Sequence, residues 1–166
     1  MTKRVLGFLA LLLAAATAAA QPPTPYTGPT PPLALRDLNG KMHRLRDYRG
    51  KVVMVQFWAT YCPPCVKEMP SVERLKAQLS GKPFAVLAVN LGESKQRVRA
   101  FLRKTHVHFT VLLDTHGQAL RRWRVYAVPS TFLIDRHGNI RYRVYGGQAW
   151  DKPPQTQLIA RLLAEP

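Results

Sequence analysis

Residues 52–58 form an almost unbroken apolar run, Val52-Val53-Met54-Val55-Gln56-Phe57-Trp58, of the kind a strand shows when both its faces are buried. The period then changes. Val66, Met69, Val72, Leu75 and Leu79 fall on one side of a helix predicted over 66–79, with Pro70 expected to kink it and Gly81 to end it. Residues 84–90 read as a second buried strand. A helix between two strands predicts a parallel pair with a right-handed crossover. Further on, the pattern predicts a helix over 94–104 with Val98, Phe101 and Leu102 inward, a short strand over 109–113 and a short basic helix over 117–124. Residues 130–134 and 140–145 flank turn residues and predict a hairpin. Residues 156–163 predict a terminal helix striped by Leu158, Ile159, Leu162 and Leu163. Upstream, 33–48 read as two short strands about Asn39-Gly40, a strong hairpin turn signal. The expected fold is α/β, a mixed sheet of about five core strands with helices on both faces.

The N-terminus has a different character. Lys3 and Arg4 precede the apolar run Val5 to Ala16, and Ala18-Ala19-Ala20 follows, which predicts a signal peptide over 1–20 cut before Gln21. An uncleaved membrane anchor is the alternative, although the 16 alanine-rich residues 5–20 are short for a span. No cysteine lies near the cut to carry a lipid. Residues 21–32 hold six prolines in twelve positions and no apolar period, so they read as a linker before a domain over 33–166.

Charge alters the picture next. The formal net charge is +16, and +14 after Lys3 and Arg4 are subtracted. That excess favours acidic partners or an anionic membrane surface. A solvated basic surface accounts for it equally well. Nucleic acid is not expected, because the cations are scattered and no nucleic-acid motif is present.

The chemistry concentrates in Trp58-Ala59-Thr60-Tyr61-Cys62-Pro63-Pro64-Cys65, which holds both cysteines of the chain. A C-x-x-C between a buried strand and a helix reads as a dithiol/disulfide redox centre. Cys62 falls at the helix N-cap, where free N–H groups and the helix dipole favour thiolate, so it is the expected exposed nucleophile and Cys65 the resolving thiol. Pro63 suits the first helical position; Pro64 fits less well, since it pushes Pro63 from helical geometry. A zinc half-site would need two more ligands. His106-x-His108 is the one suggestive histidine spacing, and exposed polar residues explain it. A structural disulfide across two residues would close almost no loop. Copper binding by the two thiolates, as in a copper chaperone, is the alternative from another class. No metal is expected, and no cofactor beyond the Cys62–Cys65 disulfide itself.

With these residues in hand the chain resembles the thioredoxin superfamily, in its exported TlpA/ResA-like branch. The matching stretches are Arg49-Gly50-Lys51-Val52-Val53, Phe57 to Cys65, Glu68-Met69-Pro70, Val89-Asn90-Leu91-Gly92-Glu93-Ser94 and Val128-Pro129-Ser130-Thr131-Phe132-Leu133-Ile134-Asp135. The resemblance implies a thioredoxin-like fold with an N-terminal β-hairpin extension and an inserted strand–helix segment near residues 84–104. It implies thiol–disulfide exchange, usually reduction, in the periplasm or an equivalent extracytoplasmic space. Protein thiols are the clients, cytochrome c maturation being one setting, and a membrane-embedded thiol reductant is the electron source. A monomer is expected.

Carried over by position, Pro129 is the cis-proline beside the disulfide, presenting the backbone of Val128 to a client peptide. Trp58 packs against the disulfide at the same substrate-binding surface. Gln56 stands where cytoplasmic thioredoxins carry a buried aspartate, and an amide cannot take the proton that Cys65 must lose. Glu93 is the candidate for that duty and matches an acidic residue of the ResA-like proteins. At the end of the second strand it should share an edge with Cys62, its pKa raised by burial. The competing reading makes Glu93 only an acidic residue at a helix start.

Overall fold

A computed structural model describes residues 22–166. The signal segment read over 1–20, with its cleavage before Gln21, lies outside the described residues. Among the described residues, eight strands make one sheet: β1 (Thr24–Pro25), β2 (Ala34–Asp37), β3 (Met42–Arg44), β4 (Val52–Trp58), β5 (Phe84–Leu91), β6 (Thr110–Asp114), β7 (Ser130–Ile134) and β8 (Ile140–Tyr145). Their spatial order is β1-β8-β7-β4-β5-β6-β2-β3. Strands β4, β5 and β6 run parallel, while β7 lies antiparallel to β4 and β8 antiparallel to β7.

Strand β4 is central and buried throughout, as its unbroken apolar run requires. Its side chains divide by parity. Val52, Met54 and Trp58 enter one core, and Val53, Val55 and Phe57 the other. Helices α1 (Pro63–Gln78), α2 (Lys95–Leu102) and α4 (Gln155–Ala164) cover the first face through Met69, Val72, Leu75, Val98, Ile159 and Leu162. Helix α3 (Gln118–Arg122) covers the second, where Trp123 lies 5.7 Å from the Phe57 ring and 5.0 Å from that of Phe132. Helix α1 continues unbroken through Pro70, which is exposed; Val66 and Leu79, expected inward, are half-buried.

The expected hairpin forms β2 and β3. Asp37 Oδ1 accepts the N–H groups of Asn39 and Lys41, and Gly40 takes φ +87°, which fixes the turn. Residues Leu45–Tyr48, read as strand, form a 3-10 turn instead.

The proline-rich stretch departs most from expectation. It is no free linker. Thr24 and Pro25 pair with β8, Tyr26 packs on the second core, and Tyr26 N–H donates to the carbonyl of Arg141 at 2.9 Å. Thr30 Oγ1 accepts the N–H of Ile140 at 2.9 Å, and the Trp123 indole donates to the carbonyl of Pro32 at 3.4 Å. Leu33 is buried. The strap thus crosses from the β8 side of the sheet to β2. Proline cannot donate to a ladder but suits an extended edge segment, so such a strap shows no apolar period.

Candidate active site

The register places the site. Trp58 pairs with Asn90, Asn90 with Leu113, and Phe57 with Ser130. The C-terminal ends of β4, β5 and β6 therefore meet the start of β7 at one end of the sheet. The turn Ala59-Thr60-Tyr61-Cys62 leaves β4 there, closed by the Cys62 N–H on the carbonyl of Ala59 at 3.2 Å.

Cys62 is the N-cap of α1, and its sulfur accepts the N–H of Cys65 at 3.3 Å. Pro63 and Pro64 occupy the first two helical positions, where a missing N–H costs no intrahelical bond; Pro64 fits better than its neighbour effect predicts. The two cysteines form a disulfide. The exposed sulfur expected at Cys62 is nearly covered: Cys62 is 6% exposed and Cys65 1%, so Cys62 is only the more accessible of the two. Trp58 is fully buried, shares the core with both cysteines and lies 5.7 Å from the Phe101 ring.

The Val128–Pro129 bond is cis, and Val128 packs against both cores. The Gly146 N–H donates to the carbonyl of Pro129 at 3.0 Å, and a Cβ on Gly147 would lie 3.4 Å from the carbonyl oxygen of Pro64. These contacts bring Val128 and Pro129 beside the motif. Two exposed aromatics mark its surroundings: Tyr61, 65% exposed, precedes Cys62, and Tyr126, 85% exposed, precedes Val128 by two residues.

Glu93 does reach the motif, but its pKa moves the other way from expectation. Burial pushes the carboxyl up. Hydrogen bonds from the Thr60 side chain and backbone, Asn90 and Arg97 outweigh that, and the net shift is downward. The acid with a raised pKa is Glu68, one helical turn after Cys65 and only 3% exposed. Burial lifts it to about 7 against donors from Gln148, Trp150 and Gln56. Its Oε1 accepts Gln56 Nε2 at 2.5 Å; its Oε2 accepts the Gln148 N–H at 2.9 Å and the Trp150 indole at 3.1 Å. Sequence reasoning passed over Glu68 within Glu68-Met69-Pro70. The available signal was a lone carboxylate on the apolar side of α1, three residues after Cys65. Among the described residues, no three His, Cys, Asp or Glu side chains come together as a metal site.

A dithiol–disulfide pair at a helix N-terminus, at the carboxyl edge of a mixed sheet and beside a cis-proline, defines a thioredoxin-fold thiol–disulfide oxidoreductase. The chain belongs to the AhpC/TSA family, whose profile matches residues 27–143. It is 40% identical over 116 residues to thiol-disulfide oxidoreductase ResA of Geobacillus thermodenitrificans, covering 70% of this chain and 67% of that protein. To ResA of Bacillus subtilis it is 40% identical over 110 residues, 66% of this chain and 62% of the relative. Among solved structures, a Chlorobium tepidum protein assigned as thiol:disulfide interchange protein DsbE superposes with a TM-score of 0.76 at 34% identity, covering 82% of this chain and 96% of that one.

Proposed function

We propose that the chain is an exported disulfide reductase in which Cys62 attacks, Cys65 resolves and Glu68 takes the resolving proton. The observation that carries this is the buried Glu68 carboxyl one turn behind the Cys62–Cys65 disulfide. In the reduced protein, Cys62 thiolate attacks one sulfur of a client disulfide. A mixed disulfide forms and the other client sulfur leaves as thiolate. Cys65 gives its proton to the Glu68 carboxylate, attacks the sulfur of Cys62 and releases the second client thiolate. Two electrons pass to the client, and the intramolecular disulfide is restored. A dithiol reductant, membrane-embedded in the setting the resemblance implies, must reopen it.

Side chains at i and i+3 of a helix have Cβ atoms about 5–6 Å apart, so the reading places the Glu68 carboxyl close enough to Cys65 for proton transfer through one water. Gln56 suits both charge states of Glu68. Its amide nitrogen donates to the carboxylate, and its Oε1, buried without a partner, can accept a hydrogen bond from the O–H of the neutral acid once the amide turns over. The extended client segment lies along Val128 and Pro129 with Trp58 beneath. The relatives named ResA and the apolar run before Gln21 support an extracytoplasmic setting, with exported thiol proteins, cytochrome c precursors among them, as clients. The positive charge supports an anionic membrane surface nearby.

Insulin reduction tests the reading. Cys62→Ser should abolish it, and Glu68→Gln should slow it about a hundredfold at pH 7, the usual size of general acid–base assistance. Cys65→Ala should accumulate a mixed disulfide on Cys62 that identifies the client. A Glu68→Gln variant with the parent rate and pH profile would remove Glu68 from the mechanism.

A further inference from the structure

We propose that Glu93 is a positioning residue: its carboxylate clamps the Ala59-Thr60-Tyr61-Cys62 turn and so sets the pose of Cys62, without moving a proton. The inference rests on the exchange reading above and assigns Glu93 a part in it that differs from the relay role expected of it.

Every acceptor position of the carboxylate is occupied. Oε2 accepts the Thr60 N–H and Asn90 Nδ2, both at 2.7 Å. Oε1 accepts Thr60 Oγ1 at 2.5 Å and Arg97 Nε at 2.7 Å. A carboxylate offers about four lone-pair sites, and four donors fill them. None is left for a thiol proton. A proton on either oxygen would face a donor already there, so the surroundings are built for the anion. The downward shift of its pKa agrees. The contrast with Glu68 is direct: that acid sits beside an orphaned acceptor, Gln56 Oε1, that a proton could satisfy.

The clamp joins three parts of the chain. Asn90 ends β5's pairing with β4, Arg97 lies in the first turn of α2, and Thr60 belongs to the turn between β4 and α1. The Cys62 N–H closes that turn on the carbonyl of Ala59, so Thr60 is the first of its two central residues. Arg97 Nε also reaches Thr60 Oγ1 at 3.2 Å, which ties the cation into the same knot. Holding Thr60 by backbone and side chain fixes where the turn delivers Cys62. With the disulfide open, only that placement keeps the Cys62 sulfur at the N-cap, against the N–H groups that favour thiolate. A loosened turn lets the sulfur leave them.

The test uses Glu93→Gln, Thr60→Val and the double variant of the full chain, with three readouts on the reduced protein: hydrogen exchange of the Thr60 amide, the Cys62 alkylation pKa, and the pH profile of insulin reduction. The clamp predicts Thr60 exchange faster by about tenfold in Glu93→Gln, the equivalent of one charge-assisted hydrogen bond. It predicts a Cys62 pKa raised by about half a unit or more in Thr60→Val, which leaves the local charge unchanged, toward the free-thiol value of about 8.5; in Glu93→Gln the loss of a nearby negative charge works against that rise. The double variant should show less than the sum, because both changes cut one network. The pH profile should keep its shape. Two outcomes overturn the clamp. One is Glu93→Gln erasing a limb of the pH profile while Thr60→Val leaves Cys62 unchanged, which marks a proton carrier. The other is an unchanged Thr60 amide and Cys62 titration in both single variants. Thr60→Val preserves shape, so it decides the matter if Glu93→Gln fails to fold. An unsubstituted protein that reduces no insulin would end the exchange reading, while amide exchange and alkylation would still judge the clamp.

Discussion

The Gln56 amide nitrogen lies 2.5 Å from Oε1 of Glu68, and both side chains are sealed within the first core. The amide on β4 and the acid on α1 thus fill one space below the disulfide. Gln56 carries no titrating proton, and its neighbour supplies the group that does.

That burial makes stability depend on pH. Glu68 has its pKa raised from 4.5 to about 7 in the folded chain. The folded state therefore binds a proton that the unfolded state has lost between those values, and stability falls as pH rises through them. The contribution is fully present below about pH 4.5 and lost above about pH 7, a span of about 3 kcal/mol. Urea midpoints of the oxidised protein should decline over this window. In Glu68→Gln they should run nearly flat.

The N-cap geometry sets the order of thiol reactivity. Cys62 receives an N–H from the first turn of α1 and is the more accessible sulfur. In the reduced protein it should titrate below the free-thiol value of about 8.5 and alkylate before Cys65. Peptide mapping after limited iodoacetamide treatment checks this; faster labelling of Cys65 reverses the roles.

Helix α3 ends in a left-handed residue that is not glycine. Arg124 has φ +50°, with its N–H on the carbonyl of Arg121 and the Val125 N–H on that of Leu120. This is the hydrogen-bonding pattern in which helices favour glycine. Arg124→Gly should stabilise the protein by about 1 kcal/mol, since an L-residue pays about 1–2 kcal/mol for that conformation and glycine's extra unfolded freedom returns part of it. Chemical denaturation measures the difference, and an unchanged or lower stability would show that the arginine side chain makes good the cost.

Tyr26 distinguishes a strap from a spacer. It packs on the second core beside the guanidinium of Arg143, whose carbon lies 5.8 Å from the ring centre. Tyr26→Ala should cost about 1–2 kcal/mol, the value of a half-buried aromatic. A spacer would lose nothing, and the urea midpoint separates the two.

Much of this was legible in the chain. Strand β4, helix α1 and the two cysteines declare themselves through an apolar run, a helical period and a single motif at their junction. The hairpin of β7 and β8 follows from its turn residues. The strap was not legible, because prolines on an edge obey no period and dock by contacts with residues more than a hundred positions away, as Thr30 does with Ile140. The roles of the two acids were illegible for a related reason. Position along the chain puts Glu93 and Glu68 near the cysteines alike; only the donors around each decide its charge. Trp150, silent in the sequence, is one of those donors to Glu68, and it arrives from a loop after β8.

Strand β1 runs away from the redox end of the sheet. Thr24 stands opposite Arg143 and Pro25 opposite Tyr142, while Tyr145, further along β8, stands opposite Ser130 beside Pro129. Residues 22 and 23 therefore lead up to Thr24 from the dithiol's side. Anything that grips them there holds the domain by the lip, not by the base.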